Sequence, residues 1–337
     1  MADYKGIQGY SWQKGAADPT NTAAGQVWYN STTGKFKIAT QGAAGWSTGG
    51  NLNTTRSITG GAGLQTAALA MGGNGPPTVN LALVEEYNGS SWTEITAMPQ
   101  AFHSGGSAGI TTAAACWAGG PFPVPSGLPA LPLKNQEYNG SSWSEGTDIN
   151  TGRWGGATWG VVVPACGYVG GESPVSGQIV HSEEYNGSTW TEGSNLNSGR
   201  RYFTGVGPQT AAIVAFGTTP GPAGGQTAYA ETYNGTAWTA STATPYVNMG
   251  AGSGSQGTQT AAFFFAGAGA PDSDTGCVIW NGSSWAATPL MATSRGTLLE
   301  MAGTSASALA FGGDPSLTTT EEYSDPAPIE TKTVTTS

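Results

Sequence analysis

The sequence predicts an all-β fold, and within that class a six-bladed β-propeller, on three observations. Glycine makes up 54 of 337 residues, 38% of residues are hydrophobic and only 9% are charged, a mixture that excludes helical bundles and charge-rich disordered chains. A Tyr-Asn-Gly-Ser-x-Trp motif recurs every 43 to 51 residues, a period that fits a four-stranded propeller blade. Its copies are Tyr87–Trp92, Tyr138–Trp143, Tyr185–Trp190, Tyr233–Trp238 and Trp280–Trp285, with Tyr323 in the same place but without a following Trp.

Each unit keeps the same internal order. A polar stretch, often containing Arg, precedes a small apolar strand such as Thr66–Met71; a glycine pair or its remnant follows, then a variable loop, a Glu-x-Tyr strand, a tight turn and a Trp strand. Small residues suit strands crowded around a propeller axis, and paired glycines allow positive φ and close backbone approach. Asn-Gly predicts a hairpin between the Tyr and Trp strands, whose rings are expected to fill the wedge between blades.

The two ends of the repeat region predict how the ring closes. No Trp strand follows Tyr323, whereas an orphan Trp strand, Trp46-Ser47-Thr48, precedes the first complete unit. Counting that strand gives six Tyr-type and six Trp-type strands, so we expect six blades, the last completed by the N-terminal strand. Such a latch removes an open sheet edge. A seventh blade built from Gln26 to Thr48 is the alternative, although that segment lacks a Gly-ended apolar strand.

The order and spacing of the Gly-Gly, Tyr and Trp positions resemble those of kelch repeats over about residues 46 to 323. Two departures are visible: the fourth and fifth units lose the glycine doublet, and the fifth has Trp280 where Tyr is expected. Kelch-type propellers include enzymes, adaptors and glycan-binding proteins, so the resemblance implies a fold and not an activity.

The flanking segments carry a second resemblance. Residues 1–25 are expected to form an extended arm, residues 26–45 a module whose Val27–Ile38 segment is a hairpin around Asn30–Gly34, and residues 324–337 an extended tail stopped by Pro326 and Pro328. The hairpin module looks like one found in bacteriophage tail-fibre and virion proteins, and the whole layout resembles kelch-like virion proteins of marine phages. The resemblance implies a non-enzymatic fibre, tail or head-decoration protein.

Charge and hydropathy limit the partners. The formal net charge of −10 and a pI near 4.5 argue against nucleic acid, and no 18-residue apolar run exists to insert into a membrane. Met1 to Lys14 lacks the apolar core of a secretory signal, so we expect synthesis in a host cytoplasm without secretion. The expected partners are other virion proteins, held through the N-terminal arm, and a host surface glycan or protein; a homo-oligomer in the particle is another possibility.

Few residues could carry chemistry, and we expect no catalytic residue, metal site or cofactor. The two histidines, His103 and His181, lie in different kinds of segment, unlike the converging pair of the copper enzymes that share this fold, and both are expected to be solvated. Cys116 and Cys166 hold matching places in inner strands, where a small buried residue is wanted. With Cys277 the count is odd, which predicts neither a disulfide framework nor a zinc site and favours assembly in a reducing compartment.

Several polar residues recur with the repeat. The Glu-Glu pairs before Tyr87, Tyr185 and Tyr323 are expected on solvated blade surface, where they protect sheet edges. The Asn-Gly-Ser/Thr sequons coincide with the tight turns and are interpreted as turn chemistry rather than as glycan acceptors. The repeated arginines should gather near one mouth of the channel, either as a binding face for an acidic or glycan ligand or as structural residues. They are Arg56, Arg153, Arg200 and Arg295.

Irregular positions supply the remaining candidates for binding. Trp154 and Trp159 fall outside the repeated Trp positions and could stack on sugars. The loop Pro121–Lys134 has five prolines in fourteen residues, so it is stiff and partly apolar. Phe122 and Leu131 would form its contact surface, unless the loop packs on the propeller itself.

Three functions follow. The first is a non-enzymatic phage virion protein that displays a propeller toward the host surface or other virion proteins. The second is a carbohydrate-binding propeller that is not tied to a virion. The third, a glycan-cleaving enzyme, needs two carboxylates in one cleft, and only Asp272 and Asp274 share an unrepeated loop.

Overall fold

The computed structural model describes residues 13–19, 23–77, 79–117, 134–173, 176–220, 225–269, 274–296, 301–325 and 329–334. Those residues form strands and turns, with no helix among them and hence no helix able to cross a membrane. The chain divides into two compact units, one of Trp46–Tyr323 and one of Met1–Gly45 with Ser324–Ser337.

The larger unit is built from four-stranded sheets, six of them within the described residues, which we number as repeats 1 to 6. Repeats 1 to 3 consist of Gly60–Leu64, Ala67–Met71, Val84–Tyr87 and Trp92–Ile95; Gly106–Ile110, Ala113–Trp117, Asn135–Tyr138 and Trp143–Glu145; and Ala157–Val162, Ala165–Val169, Ser182–Tyr185 and Trp190–Glu192. Repeats 4 to 6 consist of Thr204–Val206, Ala212–Ala215, Ala230–Tyr233 and Trp238–Ala240; Gly252–Ser253, Ala262–Phe265, Cys277–Trp280 and Trp285–Ala287; and Ala302–Gly303, Ser307–Phe311, Thr320–Ser324 and Gly45–Thr48.

The first strands of the repeats lie side by side. From repeat 1 to repeat 5, the first strand of each repeat contacts the first strand of the next one. The first strand of repeat 6 contacts the first strand of repeat 1. Small residues permit this approach: a Cβ on Gly106 would lie 2.5 Å from Thr158 Oγ1 in the next repeat. The chain therefore has an all-β, propeller-like fold, and the crowded inner strands explain its glycine and alanine content.

Aromatic rings and tight turns occupy the positions that the repeat predicts. In repeats 1 to 5 the aromatic ring that ends the third strand lies 4.8–5.1 Å from the Trp ring of the fourth strand. Between them the turn glycine has a positive φ, as at Gly89 (91°), and Asn88 Oδ1 accepts hydrogen bonds from the N–H groups of Ser90 and Ser91, both at 3.0 Å. The interpretation of the sequons as turn residues is confirmed.

The smaller unit contains one four-stranded sheet in its described part. Val27–Asn30 and Lys35–Gln41 form the expected antiparallel hairpin, Gln13–Gly15 pairs in parallel with Val27–Asn30, and Ile329–Thr333 pairs with Lys35–Gln41. Within the expected extended arm and tail, residues 13–15 and 329–333 are thus strands of this sheet, a pairing between distant segments that leaves no local signal in the sequence. The Gln26–Thr48 segment does not form a seventh repeat, since Gly45–Thr48 belongs to the sheet of repeat 6.

A buried ion pair lies inside each of four repeats. The guanidinium groups of the four repeated arginines are fully buried and lie 2.5–3.2 Å from Glu85, Glu183, Glu231 and Glu321. Each carboxylate also accepts one or two backbone N–H groups from the segment before the arginine; Glu183 accepts those of Asn150 at 2.7 Å and Thr151 at 3.1 Å. The prediction that the first Glu of each pair is solvated is wrong, because this carboxylate ties the polar segment to its sheet.

The two repeats without the arginine have lost the glutamate as well. In repeat 2 the two positions are Phe102 and Gln136, and Gln136 Oε1 accepts the N–H of Gln100 at 2.8 Å. In repeat 5 they are Asn248 and Val278, and Asn248 Nδ2 donates to the carbonyl of Ala266 at 2.7 Å. A buried charge without its partner is strongly destabilising, so the two residues change together.

We therefore expect repeat 3 to accept the combination found in repeat 2. Arg153→Phe alone and Glu183→Gln alone should each lower the free energy of unfolding by about 3–5 kcal/mol, since each leaves one group buried without its partner. The double variant should lose far less than the sum of the two, as measured by urea denaturation in a double-mutant cycle.

Lys134→Met provides the control, because Lys134 pairs with Glu145 at an exposed site and its loss should cost less than about 1 kcal/mol. Additive losses at Arg153 and Glu183 would show that the pair is not coupled.

Candidate functional site

The described parts of the variable connections lie at one end of their sheets, which we call the loop end. Antiparallel strands place the segment before each first strand next to the connection after each second strand. In repeats 1 and 3 that connection contains a small hairpin, Asn74–Gly75 with Val79–Asn80 and Glu172–Ser173 with Gly177–Gln178. The opposite end carries the short turns. The loop end is therefore where the repeats differ most.

Backbone hydrogen bonds fix the loop end from one repeat to the next. In the five repeats whose second glycine after the second strand is described, its N–H donates to the carbonyl at the arginine position of the next repeat. These bonds are Gly73 to Phe102 (2.7 Å), Gly171 to Arg200 (2.9 Å), Gly217 to Asn248 (2.9 Å), Gly267 to Arg295 (2.9 Å) and Gly313 to Arg56 (3.1 Å). A Cβ on Gly171 would lie 2.7 Å from the carbonyl oxygen of Trp154, so this position excludes side chains.

A second series of hydrogen bonds runs through the residue two places after the arginine position. The N–H of Gly155 donates to the carbonyl of Ser104 at 2.6 Å, that of Tyr202 to Gly155 at 2.6 Å, and that of Gly250 to Tyr202 at 2.7 Å. All four residues have positive φ, between 55° and 66°. Holding the non-glycine residues Ser104 and Tyr202 in this region costs energy, and the hydrogen bonds to both neighbours offset that cost.

Partly exposed aromatic and charged side chains surround this series. The Trp154 and Tyr202 rings meet edge to face with centroids 5.5 Å apart, and the Arg201 guanidinium lies 5.1 Å from each ring centroid. Arg201 also pairs with Glu172, at about 30% exposure of both side chains. This cluster of planar groups offers an amphipathic contact surface next to the variable loops.

His103 is a buried titratable group of the loop end that belongs to no ion pair among the described residues. Its side chain is 3% exposed, Nδ1 lies 2.8 Å from Ser104 Oγ, and Nε2 has no partner among the described residues. Burial lowers the pKa of His103 to about 4, so the ring is neutral at pH 7. The prediction that both histidines are solvated is wrong for His103, while His181 is exposed as predicted.

The predicted site residues separate into buried and exposed groups. The four repeated arginines are fully buried and present no basic face to a ligand; they are Arg56, Arg153, Arg200 and Arg295. Their buried ion pairs agree with the other expectation, that these arginines are structural residues. Trp159 is 1% exposed and packs on Tyr233 and Trp238, which excludes it as a stacking platform. Trp154 lies in the partly exposed cluster. Phe122 and Leu131 lie outside the described residues.

Sequence reasoning missed Arg201 and Tyr202. Both follow the repeated Arg200, and a second arginine directly after the first is a departure from the other units that could have marked the site. Among the described residues no group of His, Cys, Asp and Glu side chains is placed to hold a metal ion. The three cysteines are buried and free, and burial raises the pKa of each thiol.

Comparison with known proteins extends the fold assignment. No protein-family model matches the chain, and no curated protein matches it. The solved structure of YjhT is similar to this chain with a TM-score of 0.63 at 14% sequence identity, covering 84% of this chain and 99% of that one. At this identity the similarity shows a shared propeller-like β fold and nothing about activity.

The buried His103 predicts a specific loss of stability in acid. Its pKa is about 4 when folded and 6.5 ordinarily, so below pH 6.5 the unfolded chain binds the proton and the folded chain does not. Stability should therefore fall between pH 6.5 and 4, by about 3 kcal/mol at 1.4 kcal/mol per pH unit. Urea denaturation at pH 7, 6, 5 and 4 should show this loss in the wild type and a smaller one in His103→Gln.

His181→Gln, at an exposed position, is the matched control and should follow the wild-type curve. Parallel pH curves for the wild type and His103→Gln would contradict a buried, neutral His103.

Proposed function

We propose that residues 46–323 form a six-bladed propeller closed by the strand Gly45–Thr48. The links from repeat 6 to repeat 1 support it. Gly313 N–H donates to the carbonyl of Arg56, and the Gln65 amide donates to the carbonyl of Tyr323 at 2.6 Å. Equivalent bonds join neighbouring repeats, such as Gln259 to the carbonyl of Tyr233 at 2.6 Å. The same interface is thus used between the last repeat and the first.

Trp46 supports the proposal that the N-terminal strand completes repeat 6. Its indole N–H donates to the carbonyl of Pro289 in repeat 5 at 3.2 Å, and its ring lies 5.3 Å from Phe265 and from Tyr323. The fourth-strand tryptophans Trp143 and Trp285 donate in the same way to carbonyls of the preceding repeat. Trp46 therefore takes the place of the Trp that is missing after Tyr323.

We propose that this propeller is a non-enzymatic binding and display protein. This proposal is supported by the structural role of the repeated polar residues. The arginines and their glutamates form buried pairs inside the repeats, and the tyrosines of repeats 1, 3 and 4 donate to glutamates of the neighbouring repeat. These groups are engaged in holding the fold, whereas the repeats differ at the loop end, where Trp154, Arg201 and Tyr202 are partly exposed. A surface of this kind suits contact with a partner.

The sequence resemblance suggests where the contact is made. We propose that the protein is made in a host cytoplasm and built into a phage particle as a fibre, tail or head-decoration component, with residues 1–25 as its attachment to other virion proteins. The loop end would then face a host surface glycan or protein. The resemblance of residues 26–45 to a virion hairpin module supports this placement.

Two matched truncations test the closure. A chain lacking residues 1–44 keeps the strand Gly45–Thr48, and a chain lacking residues 1–48 does not. The second should be less stable than the first by about 3–5 kcal/mol, the cost of losing a packed Trp, and should expose the third-strand edge of repeat 6. Equal urea midpoints for the two truncated chains would contradict the latch.

Particle incorporation tests the function. Mass spectrometry of purified particles should detect the protein, and a chain lacking residues 1–25 should melt cooperatively but be lost from the particles. Absence of the full-length protein from purified particles would refute the virion role. Normal incorporation of the truncated chain would refute the arm as the attachment.

A further inference from the structure

The interface between repeats 4 and 5 lacks a link found at three other interfaces. Elsewhere the Tyr hydroxyl that ends a third strand donates at 2.5 Å to a Glu of the preceding repeat: Tyr87 to Glu322, Tyr185 to Glu137 and Tyr233 to Glu184. In repeat 5 the Tyr position is Trp280, and the matching Glu position in repeat 4 is Thr232. Both partners of the link have therefore changed at this one interface.

A cavity of about 360 Å³ lies where the link is missing, and Thr232 and Trp280 form part of its wall. Trp280 is 3% exposed, and its indole N–H has no partner among the described residues. A buried donor without an acceptor is costly, and native proteins satisfy nearly all such groups. The cavity has the size of a small-ligand site, and an acceptor atom on a ligand would satisfy this donor.

The wall of the cavity is polar and neutral. The residues that line it include Ser241, Thr242, Thr260 and Ser283 and none with a charged side chain. At the interfaces of repeats 1 with 2 and 2 with 3, Thr96 and Thr147 bond through their hydroxyls to turn carbonyls of the next repeat. The Thr242 hydroxyl makes no such bond to Ser283 among the described residues, which leaves it free for a ligand. With a net charge of −10, the protein favours a neutral ligand over an anionic one.

An exposed aromatic ring lies next to the cavity. Ala240 and Ser241 also line a second depression of about 170 Å³, whose wall includes Asn197, Tyr229 and the carboxylate-bearing Glu231, which is neutralised by its buried pair with Arg200. The Tyr229 side chain is 51% exposed. A pyranose ring has an apolar C–H face that stacks on an aromatic ring and a rim of hydroxyls that exchange hydrogen bonds with Ser, Thr and amide groups. The two depressions together supply both kinds of contact.

We propose that this groove, formed by Tyr229, Thr232, Ser241, Thr242 and Trp280 along the outer edge of repeat 4, binds a neutral oligosaccharide. One sugar unit lies in the larger cavity, where an oxygen accepts the Trp280 N–H, and the next stacks on Tyr229. This deepens the proposed function by naming a ligand class for the displayed propeller, and it rests on that function only for its biological setting, since the groove belongs to the chain itself.

Saturation-transfer NMR with the full-length protein and maltotriose, cellotriose or chitotriose tests the site, followed by calorimetry with the trisaccharide that binds most tightly. Trp280→Phe removes the N–H but keeps an aromatic ring, and it should weaken binding about tenfold, the effect of one lost hydrogen bond. Tyr229→Ala should weaken binding by a similar factor, whereas Leu290→Ala, at a residue 53% exposed outside the groove, should leave it unchanged.

The double variant Thr232→Glu/Trp280→Tyr installs the link found at three other interfaces. It should fill the cavity and abolish saturation transfer, while its melting temperature stays at or above that of the wild type. No transfer to any of the three trisaccharides overturns the proposal, as does binding that survives in the double variant. Particle incorporation of the double variant should remain normal, so loss of saccharide binding and failure of the virion role are separate results.

Discussion

A backbone hydrogen bond between consecutive repeats is the constraint on which the rest of the larger unit depends. The N–H of one glycine must reach the carbonyl at the arginine position of the next repeat, which requires positive φ and leaves no room for a side chain. Repeats 4 and 5 show which glycine matters. Phe216 and Ala266 replace the first glycine and still adopt φ of 73° and 59°, whereas Gly217 and Gly267 keep the second position and make the bond.

The buried ion pairs follow from the same constraint. The carbonyl that accepts the glycine N–H belongs to an irregular polar segment, and a glutamate inside the sheet holds that segment through its N–H groups and through the arginine. Burial lowers the pKa of Arg200, and the nearby Glu231 opposes that shift, so the charges persist as a pair. The proposed binding surfaces therefore lie where the repeats differ. They are the aromatic cluster around Arg201 and the interface where Trp280 and Thr232 replace a Tyr–Glu link.

The periodic part of the structure could be predicted from the sequence because each of its signals is local. Asn-Gly turns, small inner strands and the Tyr–Trp pairs depend on residues close in the chain. The failures concern distant partners. Glu85 looks like a surface residue until Arg56 is placed beside it. His103 looks like an exposed loop residue, yet it is buried in the folded chain. Residues 329–333 look like a tail until they pair with Lys35–Gln41. Trp280 departs visibly from the Tyr of the other units, but its consequence depends on Thr232 in another repeat.

Amide hydrogen exchange at Gly313 tests the closed ring most directly. The N–H of Gly313 donates from repeat 6 to repeat 1, as those of Gly73 and Gly171 donate between consecutive repeats. In a closed ring this amide opens only when the fold opens, so it should exchange as slowly as the amides of Gly73 and Gly171. Exchange of Gly313 near the rate of an unprotected amide, with Gly73 and Gly171 still protected, would show that repeats 6 and 1 are not joined.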